Sequence, residues 1–263
     1  MTSATAAVSQ STEETLRLDG ITVRFGGLTA LSDVSLAAAA GEFVGLIGPN
    51  GSGKTTMLNV ITGLVRASSG TLSICSAPCG RVSVHRRARL GLARTFQRAM
   101  LFPEMTVGEH LALARDIPNL WGRRPSAAAG RGGHTADDEL TAFVAAEPWG
   151  LRPGDRLSGL SLGGLRIVEL AMALASQPKV LLLDEPLSGL DQAERISFGD
   201  ALLDVQRRLG VTVILIEHDV ESVLRLAQRL VVLDFGVKIA DGPAAEIIKD
   251  PRVRDAYFGG DEQ

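Results

Sequence analysis

The stretch that decides the fold is Gly48-Pro49-Asn50-Gly51-Ser52-Gly53-Lys54-Thr55, which is followed by Thr56. It fits the pattern G-x-x-x-x-G-K-[ST] at every position. The apolar run 42–47 before it is typical of a buried parallel strand, and residues 55–64 after it have the spacing of a helix that ends at Gly63. A strand, a glycine-rich turn and a helix in this order predict a phosphate-binding loop. A turn that merely caps a helix is the less favoured interpretation.

Each part of this loop has a physical task. The glycines let backbone N–H groups turn toward phosphate oxygens, and the start of the helix adds the positive end of its dipole. We expect Lys54 to reach the β- and γ-phosphates of a nucleoside triphosphate and the Thr55 hydroxyl to ligate Mg²⁺. The rest of the chain must indicate what the nucleotide is for.

The composition is that of a globular protein without a basic excess. Of the 263 residues, 45% are hydrophobic and 22% are charged, and the formal net charge is -3. No general positive field therefore points to nucleic acid. No apolar run approaches the roughly 20 residues that span a bilayer. Residues 1–15 lack the basic and apolar regions of a secretory signal, and we interpret them as a disordered leader.

Apolar strands alternate with helical segments, which predicts an α/β fold with a mainly parallel sheet. We expect the second and third strands to form a pair and the last two to form a hairpin. The predicted strands are 16–23, 33–38, 42–47, 71–74, 179–183, 211–216, 230–233 and 237–240. The segment of roughly 98–175 is helical and interrupts this pattern. Within it, Thr106 and Glu109 fit a capping box for a helix over 107–114, and 115–133 has the composition of a flexible loop.

A run of basic residues and a pair of cysteines are each interpreted as structural and not as a binding site. The first is a run of basic residues without interleaved aromatic rings, which favours a solvated helix face over nucleic-acid binding. Its members are Arg81, His85, Arg86, Arg87, Arg89 and Arg94. The second is the pair Cys75 and Cys79, which lacks histidine partners and is a poor metal site.

Two carboxylates follow the apolar strand 179–183, namely Asp184 and Glu185. In parallel sheets, ligands bind beyond the carboxyl ends of the strands. Asp184 therefore fits the residue that positions Mg²⁺ in a P-loop ATPase, and Glu185 is placed to polarise a water for in-line attack on the γ-phosphate. The alternative is a strand end with two solvated acids. The complete phosphate loop in the same chain favours the catalytic interpretation.

The phosphate loop and the two acids are accompanied, in order along the chain, by Phe25, Gln97, 188–191 and His218. In order and spacing, this set resembles the motifs of the nucleotide-binding subunits of ABC transporters over roughly residues 16–260. The resemblance implies a P-loop NTPase core of the RecA type, with an N-terminal antiparallel β portion and an inserted α-helical subdomain. The expected divisions are a nucleotide-binding core at 16–97 and 176–243, a helical signature subdomain at 98–175, and a C-terminal helix and tail at 244–260.

The resemblance also assigns roles to residues. The expected ATP-binding residues are Phe25, Gly48, Pro49, Asn50, Gly51, Ser52, Gly53, Lys54, Thr55 and Thr56. The expected catalytic residues are Glu185, His218 and Gln97, and the expected Mg²⁺ ligands are Thr55, Gln97 and Asp184. Phe25 would stack on adenine, His218 would hold the γ-phosphate and the attacking water, and Gln97 would sense Mg²⁺ and a transmembrane partner. On residue type alone, Phe25 could equally be core filler, and a strand-end histidine such as His218 is usually structural.

The signature motif departs from the LSGGQ pattern of the family. The matching residues, Leu160-Ser161-Leu162-Gly163-Gly164, stand 24 residues before Asp184. The resemblance implies that Ser161, Gly163 and Gly164 meet the nucleotide of a second subunit, so that two cassettes enclose two ATP molecules head to tail. Asp191 falls in the D-loop. The replacements Leu162 and Gly164-Leu165 bear on the strength of the contact between subunits and on turnover.

Three segments are similar to ATPases of the branched-chain amino-acid and urea uptake group, namely 24–31, 93–97 and 250–259. Glu169 and the non-glycine Leu162 also fit that group. The similarity implies an ATP-hydrolysing subunit on the cytoplasmic face of the membrane, peripheral to it, that drives uptake of branched-chain or other hydrophobic amino acids. Implied partners are transmembrane permease subunits, a second ATP-binding subunit and, indirectly, an extracytoplasmic solute-binding protein. We expect a permease helix to dock on the apolar surface around 100–102.

Three alternatives stay open. The ATPase of a lipopolysaccharide-type exporter shares part of the pattern, including the tail. A soluble ABC ATPase of DNA repair or translation would carry a long coiled-coil insertion or tandem cassettes, and the sequence has neither heptads nor repeats. The altered signature raises the third alternative, a nucleotide-binding module that does not hydrolyse ATP.

Overall fold

The structure is a computed structural model that describes residues 13–95, 101–120, 136–146 and 148–258. Gln97, Met100, most of the predicted loop of 115–133, and residues 1–12 of the predicted leader lie outside this part of the chain. The described residues contain no helix long and apolar enough to cross a bilayer.

The strands form one antiparallel and one mainly parallel sheet. They are β1 (Glu14–Phe25), β2 (Leu28–Ala39), β3 (Phe43–Ile47), β4 (Ser69–Ile74), β5 (Ala77–Pro78), β6 (Leu92–Arg94), β7 (Val180–Asp184), β8 (Thr212–Ile216), β9 (Arg229–Asp234) and β10 (Val237–Pro243). The four-stranded sheet has the order β2-β1-β4-β5, and the six-stranded sheet has the order β10-β9-β3-β8-β7-β6. In the larger sheet only the β9–β10 hairpin is antiparallel, among the described residues. The predicted α/β fold is confirmed.

The helices cover the larger sheet and fill the interrupted segment. They are α1 (Lys54–Thr62), α2 (Val84–Arg89), α3 (Val107–Leu120), α4 (Ala136–Ala145), α5 (Leu162–Ala175), α6 (Gln192–Leu209), α7 (Val220–Leu226), α8 (Ala244–Ile247) and α9 (Pro251–Phe258). The predicted capping box is confirmed, because Thr106 N–H donates to the Glu109 carboxylate over 2.7 Å and Glu109 N–H donates to Thr106 Oγ1 over 3.2 Å. Helix α3 continues to Leu120, past its predicted end.

The predicted pairing of the second and third strands is wrong. β2 pairs with β1 in the antiparallel sheet, whereas β3 lies between β8 and β9 in the other sheet. The burial patterns give the reason. All five residues of β3 are buried, as in a central parallel strand, while β2 largely alternates between buried and more exposed positions. The turn 39–41 therefore joins the two sheets.

The parallel sheet separates two hydrophobic cores, and β7 contributes to both. Val180 and Leu182 pack with α1 and the antiparallel sheet, through residues such as Met57. Leu181 and Leu183 pack on the opposite face with the helices of the interrupted segment. This alternation follows from the twofold period of a strand. It fixes the end of β7 at the edge where α1 begins.

Arg87 caps the C-terminal end of α1. Its Nη1 donates to the carbonyl oxygens of Val60 at 2.5 Å and Ile61 at 2.8 Å, and the residue is 5% exposed. The final carbonyls of a helix have no partner within it, and a cation there also meets the negative end of the helix dipole. The interpretation of the whole basic run as a solvated helix face is therefore wrong for Arg87.

Candidate active site

The phosphate loop runs from the end of β3 to the start of α1 and requires glycine at Gly53. This residue has φ 104, a conformation that other residues rarely adopt. A Cβ atom there would lie 2.7 Å from Leu31 Cδ2 and 2.8 Å from the Ala30 carbonyl oxygen. The loop is thus seated directly on β2, and its shape is fixed by backbone packing.

Lys54 is buried inside this loop. Its Nζ donates to the carbonyl oxygens of Gly48 at 2.7 Å and Pro49 at 2.9 Å. Burial lowers the pKa of Lys54, and the negative charges of Glu185 and Asp184 act in the opposite direction. The ammonium group of Lys54 therefore interacts electrostatically with both carboxylates that follow β7. The phosphate loop and the two acids thus lie in one site.

Asp184 ends β7 and is held by a buried ion pair. Its Oδ2 accepts a hydrogen bond from Arg94 Nη2 at 2.8 Å, and Arg94 Nη1 donates to Asn59 Oδ1 at 2.7 Å. The other oxygen, Asp184 Oδ1, is buried and has no hydrogen-bond partner among the described residues. A buried carboxylate oxygen of this kind is the hard ligand that Mg²⁺ prefers. Asp184 therefore fits the predicted metal site.

Arg94 is a residue that the sequence analysis misplaced. It lies in strand β6, opposite Leu182 of β7, and not on a solvated helix face. Its side chain is 8% exposed and that of Asp184 is 2% exposed. The short apolar pair Leu92-Ala93 after Gly91 was the available signal for a strand. Nothing in the sequence indicated the ionic partner.

Glu185 has a left-handed backbone conformation and contacts the predicted switch histidine. Its φ is 51, and its N–H donates to the Ile216 carbonyl oxygen at 2.9 Å. Glu185 Oε1 lies 2.5 Å from His218 Nε2. Such a backbone conformation costs about 1–3 kcal/mol and persists where the surroundings impose it, commonly at functional sites. The end of β8 thus supplies both His218 and the bond that fixes Glu185.

These elements border one cleft of about 620 Å³. It is lined by Phe25, Leu28, Thr29, Ala30, Asn50, Gly51, Ser52, Gly53, Lys54, Thr55, Thr56, Glu185, His218 and Phe235. Phe25 is 50% exposed at the cleft, so its ring is not core filler. Ser52 Oγ is buried and has no partner among the described residues. The cleft thus combines an aromatic ring, a phosphate loop and a carboxylate–histidine pair.

Glu217 is a buried carboxylate that the sequence analysis did not single out. It is 4% exposed, and its Oε1 accepts a hydrogen bond from Leu187 N–H at 2.7 Å. Burial raises the pKa of Glu217 to about 7, against the opposing effect of that hydrogen bond. Glu217 therefore ties the strand before His218 to the loop that follows Glu185.

The signature residues lie at the start of α5. Ser161 is its N-cap and accepts a hydrogen bond from Gly164 N–H at 3.1 Å. Gly163 is buried, and a Cβ atom there would lie 2.3 Å from Trp149 Cζ3. None of these residues is among the described residues that line the cleft. Intrachain packing already requires glycine at Gly163, and the structure does not bring the motif to the phosphate loop of its own chain.

Two more of the predicted residues, Asp191 and Glu169, make contacts within their own helices. Asp191 caps α6 and accepts a hydrogen bond from Glu194 N–H at 2.8 Å, completing a capping box. Glu169 forms a largely buried ion pair with Arg166 at 3.0 Å on α5. Both contacts stabilise helices beside the signature.

The comparisons with known proteins agree with this arrangement. Residues 31–188 match the ABC transporter family, and residues 237–263 match the family of branched-chain amino acid ATP-binding cassette transporters. LivG of Salmonella typhimurium, a high-affinity branched-chain amino acid transport ATP-binding protein, is 35% identical over 250 residues, which are 93% of this chain and 97% of LivG. BraF of Pseudomonas aeruginosa, which carries the same description, is 34% identical over 248 residues, 93% and 97% of the two chains.

Solved structures match over nearly the whole chain. The ADP conformation of an ATP-binding cassette from an ABC transporter has a TM-score of 0.80 at 28% identity and covers 94% of this chain and 99% of its own. A nucleotide-free cassette has a TM-score of 0.78 at 28% identity, with the same coverage. These matches confirm the predicted P-loop NTPase fold. The chain is an ATP-binding cassette of the ABC transporter family, a transport-coupled ATPase, and belongs to the branched-chain amino acid group of that family.

Proposed function

We propose that the chain hydrolyses ATP to power a membrane importer of branched-chain or other hydrophobic amino acids. The observation that carries this proposal is the match to LivG and BraF over the full cassette, together with the match of the tail to the branched-chain amino acid transporters. The cleft supports the ATPase part, because the phosphate loop and the Glu185–His218 pair line the same space. The tail match favours import over the lipopolysaccharide-exporter alternative.

We assign the residues of the cleft as follows. Phe25 stacks on the adenine, and the loop from Gly48 to Thr56 encloses the phosphates. Lys54, freed from its own loop carbonyls, reaches the β- and γ-phosphates. Glu185 accepts the proton of the attacking water while the γ-phosphorus gains that oxygen and the bond to the β-bridging oxygen breaks. His218 holds the γ-phosphate and the attacking water, and its contact with Glu185 keeps the two side chains together.

Mg²⁺ fits the residues that are present. Thr55 lines the cleft, and the partnerless buried oxygen of Asp184 is a suitable ligand, directly or through water. When bound, the ion would offset the charge that develops on the phosphate oxygens. The third proposed ligand, Gln97, lies outside the described residues.

We infer the remaining partners from the exposed signature and from the family. Ser161 is exposed at the start of α5 and away from the cleft of its own chain, which supports a head-to-tail arrangement with a second ATP-binding subunit. There Ser161, Gly163 and Gly164 would present the positive end of α5 to the other nucleotide. Transmembrane permeases would dock near Leu101 and Phe102, of which Phe102 is 56% exposed. The chain would then lie at the cytoplasmic face of the membrane, with a solute-binding protein as an indirect partner.

The ATPase assignment is tested by phosphate release from wild type and Glu185→Gln. We expect at least a roughly 100-fold loss of turnover, because the variant cannot accept the proton of the attacking water. ATP binding should persist, since the phosphate loop is unchanged. Glu14→Gln, at the exposed first residue of β1, is the matched control and should keep full turnover. Equal phosphate release by wild type and Glu185→Gln would instead favour a module in which Glu185 has no catalytic part.

The import assignment is tested in cells that lack the chain. Uptake of radiolabelled leucine, isoleucine and valine should fall to background, and wild type but not Glu185→Gln should restore it. Unchanged uptake of every hydrophobic amino acid would contradict the proposal. Loss of surface lipopolysaccharide in the same cells would support the exporter alternative.

A further inference from the structure

An exposed phenylalanine in the β9–β10 turn shares the cleft with Phe25. Phe235 is 88% exposed, more than any other large hydrophobic side chain among the described residues, and it lines the cleft together with the phosphate loop. Leaving a full aromatic ring in water forgoes its burial energy. A ligand in the cleft that covered this ring would regain that energy.

The turn that carries Phe235 is fastened to the phosphate loop. Gly236 N–H donates to the Ser52 carbonyl oxygen at 3.0 Å, and the Gly236 carbonyl oxygen accepts from Ser32 N–H at 2.8 Å. A Cβ atom on Gly236 would lie 2.6 Å from the Ala30 carbonyl oxygen, so the turn packs tightly against β2. The position of the ring is thus fixed relative to the groups that would hold the phosphates.

The backbone of Phe235 is itself strained. Its φ is 41, in the left-handed region where bulky residues are outliers. The two-residue turn between β9 and β10 imposes this conformation, because Phe235 and Gly236 are its central residues and the favoured turn of such a hairpin has positive φ at both. The hairpin therefore holds the ring at the cleft.

We propose that Phe235 is a second base-contacting residue of the nucleotide site, acting with Phe25. The inference rests on the proposed ATP site and deepens it. Leu28, which is 66% exposed, lines the same cleft and extends the apolar surface. A purine offers two flat faces and an apolar edge, so contact with a second ring adds affinity without requiring hydrogen bonds to the base. Phe235 thereby contributes affinity for the base and not for the phosphates.

The test compares ATP with inorganic tripolyphosphate, which has the phosphate chain but no base. Dissociation constants for both are measured by calorimetry on the purified full chain, with EDTA to prevent hydrolysis. Phe235→Ala should weaken ATP binding about 5- to 30-fold, the effect of one lost stacking contact, and leave tripolyphosphate binding unchanged. Phe235→Leu keeps an apolar side chain without the ring and should lose most of the same affinity.

The control is Val237→Ala, in the same hairpin. Val237 is 46% exposed and is not among the described residues that line the cleft. It should bind ATP and tripolyphosphate as wild type does. Phe25→Ala serves as the reference for loss of base stacking.

The outcomes separate the two proposals. If Phe25→Ala weakens ATP binding and Phe235→Ala does not, the nucleotide site stands and the inference about Phe235 is overturned. A parallel loss of tripolyphosphate affinity in Phe235→Ala would also overturn it, since the turn would then act on the phosphate loop. If wild type binds neither ligand, both the proposed function and this inference fail.

Discussion

The nucleotide cleft and the signature region use glycine and polar groups in opposite ways. In the cleft, Gly53 lets the phosphate loop sit on β2, and Ser52 in the cleft and Asp184 beside it keep buried oxygens without partners among the described residues. In the signature region, Gly163 makes room for Trp149 of the same chain, and the Ser161 hydroxyl is satisfied by Gly164 N–H. The first region keeps buried oxygens open toward a ligand, while in the second the Ser161 hydroxyl already has a partner and the start of α5 is exposed, although Trp149 Nε1 is buried without a partner among the described residues.

The difference has a physical origin. The cleft lies at the carboxyl ends of buried parallel strands. There β8 pairs with β3 on one side and with β7 on the other. The signature lies at the N-terminal end of α5, where the Ser161 side chain caps the helix by accepting a hydrogen bond from Gly164 N–H. Polar groups in the cleft are therefore held before ligand arrives, whereas those of the signature need a second chain to gain any new contact. Three measurements can break or sharpen this contrast.

The largest effect should come from breaking the buried Arg94–Asp184 ion pair beside the cleft. Arg94→Met leaves the Asp184 carboxylate buried without its partner, and we expect a loss of about 3–5 kcal/mol in the free energy of unfolding. Chemical denaturation of the nucleotide-free chain measures it. Arg195→Met is the matched control, because the Arg195–Asp219 pair is 3.5 Å apart and each side chain is 38% exposed. Breaking that exposed pair should cost under about 1 kcal/mol. Equal losses would contradict a special role for the buried pair.

A smaller effect should appear in the difference in stability between Glu217→Gln and wild type as the pH rises. Because burial raises the pKa of Glu217 to about 7, the neutral form is favoured in the folded chain. Its contribution to stability is fully present below the unfolded pKa of 4.5 and is lost as the pH rises through about 7. Glu217→Gln stays neutral, so its stability relative to wild type should increase by about 2–3 kcal/mol between pH 4.5 and pH 8.

Urea denaturation at several pH values provides this measurement. The control is Glu221→Gln in the first turn of α7, where the side chain is exposed. The stability difference between Glu221→Gln and wild type should not follow the same course. A difference between Glu217→Gln and wild type that stays constant over this range would show that Glu217 is already ionised in the folded chain.

The smallest effect should distinguish the two signature glycines. Gly163→Ala drives a methyl group into the Trp149 ring and should cost about 1–3 kcal/mol. Gly164→Ala meets nothing closer than Leu160 Cβ at 3.4 Å, and alanine in a helix should gain up to about 1 kcal/mol over glycine. Thermal and urea unfolding measure both. Equal stability of the two variants would remove the intrachain explanation of Gly163 and leave contact with a second subunit as its reason.

Several parts of the cleft could be predicted because each of them is a short contiguous motif, although the lining residues are spread from Phe25 to Phe235. The strand, loop and helix around Lys54 form one motif, and the acids after β7 follow an apolar run. The pairing of β2 could not be predicted, since it depends on which distant strands compete for each edge. Arg94 was placed on the wrong element and Glu217 was not singled out, for a related reason. Sequence gives the residue type, but burial and the ionic or hydrogen-bonding partner arise only when β6, β7 and β8 come together.

The left-handed backbone of Glu185 links the stability of the folded chain to the proposed catalytic role of this residue. Glycine would adopt this conformation without strain, but it would lose the contact with His218 and, under the proposed mechanism, the base that accepts the proton of water. The chain therefore keeps a strained backbone at the residue to which the proposed mechanism gives the proton transfer.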